Sequence, residues 1–187
     1  MYTETKISIC NHALTLIGDR NISSFDEDTA TAERCRSLYD TVRKSVLRDH
    51  PWSCAKSRAV LSPKATHPVF GYAHAFPLPS NFIRVIDAGV REYEIENRHI
   101  LANTNQINLT YIFDNDNEDT WDSMLVEAMA LKLASKLAKP NTGSDAAGQS
   151  ALAEYERLIK KARLVNAQER PPQSIYFEGN GYLDGRY

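Results

Sequence analysis

Apolar residues recur at helical spacing in four stretches of this chain, and alternate with polar ones between the second and the third. In the first, roughly Glu4 to Ile17, residues Ile7, Cys10, Leu14 and Ile17 fall on one face and Gly18 is the stop. The second runs from about Thr29 to Asp49. Its stripe is Cys35, Leu38, Tyr39, Val42, Val46 and Leu47, with Arg34, Arg43, Lys44 and Arg48 mostly away from it. Asp28 is its expected N-cap, since a carboxylate there accepts from first-turn amides, and Glu33 favours the positive end of the dipole. Pro51 ends it, because the ring disfavours helical dihedrals at His50 and supplies no amide donor.

From Ser53 to Asp114 the period changes to two. Strands are expected near Cys54–Leu61, His74–Leu78, Phe82–Ala88, Tyr93–Glu96, His99–Ala102 and Asn108–Phe113. YEIENRHIL predicts a tight hairpin turning at Asn97-Arg98, since Asn tolerates positive φ. Glu92, Glu94 and Glu96 share one face, an arrangement suited to protecting an exposed sheet edge. Helical spacing returns from about Asp119 to Ala138. There Met124, Leu125, Val126, Ala128, Met129, Ala130, Leu131, Leu133, Ala134 and Leu137 wrap most of the axis, which predicts a helix packed on several sides. Pro140 to Gly143 is expected to break it before a fourth helix near Asp145 to Gln168, striped by Leu152, Tyr155, Leu158, Ile159, Ala162 and Val165.

After Gln168 the periodicity stops. PPQSIYFEGNGYLDGRY carries two prolines and three glycines, yet keeps Ile175, Tyr176, Phe177, Tyr182, Leu183 and Tyr187. Aromatics on an extended segment suit docking, either onto another protein or back onto the chain's own domain. The expected fold is therefore α+β, mainly α. A bundle of about four helices (1–52 and 115–169) carries a β-rich insert (53–114) between helices two and three, and an extended C-terminal tail (170–187) follows.

Composition narrows this little. At 187 residues one domain is expected, and a net charge of -2 gives no global field for gripping nucleic acid. Arg34, Arg36, Arg43, Lys44, Arg48, Lys56 and Arg58 form the one moderately basic neighbourhood. Of these, Arg36, Arg43, Lys44 and Arg48 are candidates to face a channel or an interface, against the alternative of a solvated helix face. Three cysteines without C-x-x-C argue against a disulfide framework or zinc cage. MYTETKISIC has no signal-like pattern and no apolar run approaches a membrane span, so a reduced, soluble protein made inside cells is expected.

Candidate chemistry is sparse. His50 and Cys54 would be a cysteine–histidine pair, but Pro51 breaks the helix that would align them. The acids of FDNDNEDTWD lack the glycine and closing glutamate of a calcium loop, and read as a solvated turn favouring the dipole of helix three. No catalytic, cofactor or metal residue is assigned. LRDHPWSCAKSRAVL reads instead as a corner, in which His50 makes a hydrogen bond, Pro51 stops the helix and the Trp52 indole seeks one acceptor.

The order of these elements, with their wording, resembles the tail tubular protein A family of short-tailed phages. The matching stretches are ICNHALTLIGDRNISSFDEDTATAERCRSLYDTVRKSVLRDHPWSCAKSRAVL, FGYAHAFPLPSNFIRVI and WDSMLVEAMALKLASKLAKPNTGSDAAGQSALAEYERLIKKARLVNAQE, together covering about Lys6 to Glu169. The resemblance implies a virion structural protein, a head–tail adaptor. Such adaptors form a ring, typically of twelve subunits, between the portal and a tail nozzle of the tail tubular protein B kind. DNA leaves through their channel without sequence-specific binding. The tail residues Ile175, Tyr176, Phe177, Tyr182, Leu183 and Tyr187 would then meet the portal or a neighbouring subunit. The alternatives are a phage-encoded peptidoglycan hydrolase, which needs a carboxylate pair in a cleft, and a helical host-interaction module.

Overall fold

A computed structural model describes residues 4–168 of the chain. The segment 170–187 and its six aromatic and aliphatic candidates lie outside the described residues.

Local chemistry sets the helix ends. Helix α1 spans Lys6–Leu16. The Ser8 amide donates to Thr5 Oγ1 at 3.1 Å and the Thr5 amide donates to Ser8 Oγ at 2.9 Å, a reciprocal box that satisfies two otherwise unpaired donors. Helix α2 spans Ala30–Asp49. Its cap is Thr29 rather than Asp28: Thr29 has the extended backbone a cap requires, and its hydroxyl accepts from the Ala32 amide at 3.2 Å.

Helix α3 spans Ser123–Thr142, starting later than expected because Asp122, taking the Leu125 amide at 2.9 Å, is the cap. It also runs through Pro140. The ring removes one backbone donor in the last turn. The Thr142 hydroxyl donates to the Ala138 carbonyl at 2.8 Å, and the helix stops at Gly143, whose φ of 72° is left-handed. Helix α4 spans Asp145–Gln168.

Between α2 and α3 lie six strands, β1 (Lys56–Leu61), β2 (His74–Pro77), β3 (Phe82–Asp87), β4 (Glu94–Glu96), β5 (His99–Ala102) and β6 (Ile107–Phe113). They form two antiparallel three-stranded sheets, one in the order β1-β6-β3 (sheet A) and the other β2-β5-β4 (sheet B). Asn97 (φ 42°) and Arg98 (φ 61°) make the tight turn joining β4 to β5. The segment from Ser53 to Ala55 is a single 3₁₀ turn, so β1 begins at Lys56 rather than at Cys54.

The expected four-helix bundle with a single insert is not the fold. Helix α3 is central and packs against α4, α1 and α2, while α2 packs its remaining side against β3 and β6. Sheet A is therefore a shared wall. Ile112 of β6 is buried in the helical core, and Ile83 and Ile86 of β3 pack on that core too. On the opposite face Ile107, Leu109 and Tyr111 join Phe76, Ile100 and Ala102 of sheet B in a second core. The layers are helices, sheet A, sheet B. The physical reason lies in strands apolar on both faces: FIRVI and YIF have two sides to bury, whereas an insert standing out from a bundle would have one.

Candidate functional site

The turn after α2 brings the two layers together. His50 is extended (φ -139°, ψ 145°), as the residue before a proline must be. Trp52 is buried, and its indole Nε1 donates to the Val46 carbonyl at 3.0 Å, one of the carbonyls a helix end leaves without an amide partner. The His50 ring stands edge-on to Trp52, with centroids 4.6 Å apart and planes at 68°.

His50 is only 4% exposed, and its Nδ1 has no hydrogen-bond partner among the described residues. A hydrogen bond is expected of His50; its Nδ1 makes none among the described residues, and its ring packs on Trp52. Burial, then the positive charges of Arg163, Lys56 and Arg84, pull its pKa down to about 4 against the weaker pull of Asp122. Cys54 is half-buried, and its thiol pKa is raised, first by burial and then by Asp122, which disfavours a thiolate beside His50.

The basic residues singled out on α2 go to different places. Arg43, expected off the apolar stripe, is buried at 5% exposure. Its Nε donates to Asp114 Oδ1 at 2.9 Å, its Nη2 to Asp114 Oδ2 at 3.2 Å and its Nη1 to Asp40 Oδ1 at 2.7 Å. Burial works against its charge, but Asp114, Asp40 and Asp116 together hold its pKa above the ordinary value. Lys44 is exposed and reaches Asp114 at 3.6 Å. Arg36 is exposed on the same helix beside the acidic turn of Asp26, Glu27 and Asp28.

The acids of FDNDNEDTWD are therefore more than a solvated turn. Asp114 locks α2 to the end of β6. Glu118, 8% exposed, accepts from the Tyr39 hydroxyl at 3.1 Å, and Asp122 caps α3. Burial, with Glu118 alongside, pushes the Tyr39 phenol upward, so it stays a donor.

Arg48 behaves differently. Its Nη1 donates to the Ile83 carbonyl at 2.9 Å, carrying the guanidinium across from α2 to the residue next to Arg84 on β3. From α4, Arg163 Nη2 donates to the Asp49 carbonyl at 3.3 Å, between Arg48 and His50. Arg84 Nε is buried with no hydrogen-bond partner among the described residues. Burial lowers the Arg84 pKa, and Arg48 and Arg163 lower it further against Asp49. Three guanidiniums from three elements thus converge on one seam.

Beside them is a cavity of about 260 Å³, lined by Asp49, Lys132, Leu152, Tyr155, Glu156, Ile159, Lys160 and Arg163. Asp49 accepts from the Tyr155 hydroxyl at 2.7 Å and lies 3.7 Å from Lys132 Nζ, which sits 4.3 Å above the Tyr155 ring. That seam was only partly legible: Arg48 was singled out, whereas Arg84 and Arg163 are distant in sequence and carry no local motif.

Elsewhere, Cys10 and Cys35 are fully buried and adjacent. Their mutual hydrogen bond, then burial, holds the Cys10 thiol well above its usual range. Among the described residues no group of three or more His, Cys, Asp or Glu could hold a metal, and no helix is long and apolar enough to cross a membrane. The β half exposes large apolar side chains: Val69 is 96% and Phe70 86% exposed on the loop between β1 and β2. No family model matches this chain, and no curated protein matches it either.

Proposed function

We propose that this chain is a non-enzymatic adaptor subunit that works as a ring, placed between the portal and the nozzle of a short-tailed phage and surrounding the DNA exit channel. One feature carries the reading: the series of stretches from ICNHALTLIGD through HPW and FGYAHAFPLPSNFIRVI to WDSMLVEAMALKLASKL resembles, in wording and order, the tail tubular protein A family. Surface chemistry supports it. Exposed Val69 and Phe70, and the exposed Leu152 and Leu164 of α4, are large apolar groups of the kind that a partner surface covers. A ring of identical subunits needs two different surfaces on each copy, and this chain has exposed apolar groups on both its β half and its helical half.

The test is assembly. Purified chain mixed with portal rings should co-sediment with them as a defined complex, and virions purified from the source phage should contain the chain by mass spectrometry. No complex with portal, together with absence from virions, would sink the reading. The hydrolase reading predicts clearing of peptidoglycan in a zymogram, which this proposal does not.

A further inference from the structure

The seam guanidiniums lack what arginines at such a place normally have. Among the described residues none of Arg48, Arg84 and Arg163 lies in an ion pair with a carboxylate. Two of them are instead positioned by backbone carbonyls, Ile83 for Arg48 and Asp49 for Arg163, so the forks are held in place with donors left over. The buried Nε of Arg84 and the buried Nδ1 of His50 are further polar atoms without partners at the same seam. Like charges gathered this closely repel one another, and an arriving anion relieves that repulsion. The chain as a whole carries -2, so the surface away from this seam is on balance acidic.

The complement stands on the same molecule. Strand β4 is one of the two edge strands of sheet B, and all of it is exposed. Glu94 and Glu96 sit two residues apart and so share a face, about 6–7 Å from one another, with exposed Glu92 just before them. Among the described residues these three carboxylates have no ion pair and no side-chain hydrogen bond. Edge protection accounts for acids on this strand. It does not account for an equal set of unpaired guanidiniums on another face.

We propose that the Arg48–Arg84–Arg163 seam of one copy receives the Glu92–Glu96 edge of a second copy. The inference rests on the ring reading and specifies which surfaces meet. A patch on one face binding a different patch of the next copy is a head-to-tail contact, the kind that closes into rings. Arginine forks match carboxylates in pairs, which sets register as well as attraction. Nucleic acid is the poorer occupant. Phosphate tracking needs cations in a run along a groove, and here Asp49 and Glu156 line the cavity beside a single cluster.

The experiment uses the full chain. Carbodiimide joins lysine amines to carboxylates in contact, and Lys160 lines the cavity beside Arg163. In a mixture of isotopically light and heavy chain, mixed-label cross-links from Lys160 to Glu94 or Glu96 are expected. Sedimentation velocity then compares wild type with two charge-reversed variants, Arg84→Glu/Arg163→Glu and Glu94→Arg/Glu96→Arg. Each alone should lose most of the oligomer, while an equimolar mixture should regain it, because both kinds of contact between unlike copies, seam of one on edge of the other, pair opposite charges. Circular dichroism melting checks that both variants fold.

Wild-type rings with unchanged assembly in either folded variant would overturn this interface and leave the adaptor reading standing. A wild-type chain that stays monomeric with and without portal rings would overturn both. Association abolished by a short DNA duplex, with the duplex bound at the seam, would assign the site to nucleic acid instead and overturn the proposal.

Discussion

His50 shows how one residue couples packing to pH. Unfolded, its imidazole titrates near 6.5; folded, burial and the neighbouring cations pull it down to about 4. Between these values the unfolded chain binds more protons than the folded one, so stability falls as the pH drops through that window and is unaffected above it. With these two values the loss from pH 7 to pH 5 is about 2 kcal/mol. His50→Phe keeps an aromatic ring against Trp52 but cannot titrate, and should remove most of that loss. Urea unfolding of both proteins at pH 7 and pH 5 makes the comparison, and equal losses in the two would show that His50 is not the group responsible.

Arg43 makes a second point at the same scale. Helical spacing puts it away from the apolar stripe, yet it is buried because Asp114, 71 residues later in sequence, supplies two acceptor oxygens. A charge enters a core only with a partner, and a sequence does not say where the partner will be.

At the level of elements, the helix pair α3–α4 depends on a small residue. Gly148, on the first half of α4, is buried where a methyl group would lie 3.1 Å from the Ser135 carbonyl oxygen and 3.4 Å from Ala138 Cβ. A glycine inside a helix costs about 1 kcal/mol relative to alanine. Gly148→Ala should therefore be close to neutral, gaining propensity and losing fit. Gly148→Val adds bulk that α3 can accept only by moving, at a cost of about 2 kcal/mol, or a Tm about 4–8 °C lower for a chain of this size. Thermal melts of the two variants decide it, and a valine variant as stable as wild type would mean that the helices are not in close contact there.

Element boundaries were legible wherever a local cause set them. Pro51 stops α2, and Asn97-Arg98 turns β4 into β5. Where two residues competed, spacing alone did not decide. Thr29 prevails over Asp28 as a cap because it is the residue whose side chain takes the Ala32 amide, and Pro140 falls inside a helix because Thr142 and Gly143 finish the turn beyond it.

For the whole molecule, the exposed loop between β1 and β2 bears on assembly. Val69 and Phe70 cost little to remove, since a side chain already in water has no burial to lose. The variant Val69→Ser/Phe70→Ser should melt as wild type does, and if the loop meets a partner in the proposed ring it should assemble several-fold less well by sedimentation. Unchanged assembly would clear the loop of that role.

The sequence by itself determined the four helices, six strands and their order, because hydrophobic period, caps and turn residues act over a few neighbouring positions. It also located the corner at His50, Pro51 and Trp52. What the tertiary structure decided was how those pieces layer and which side chains meet. Sheet A became a wall between two cores because β3 and β6 are apolar on both faces. Arg48, Arg84 and Arg163 became one cationic seam because a helix end, a strand and a second helix converge there. Those contacts join residues 35 and 114 positions apart, and no local spacing rule reaches that far.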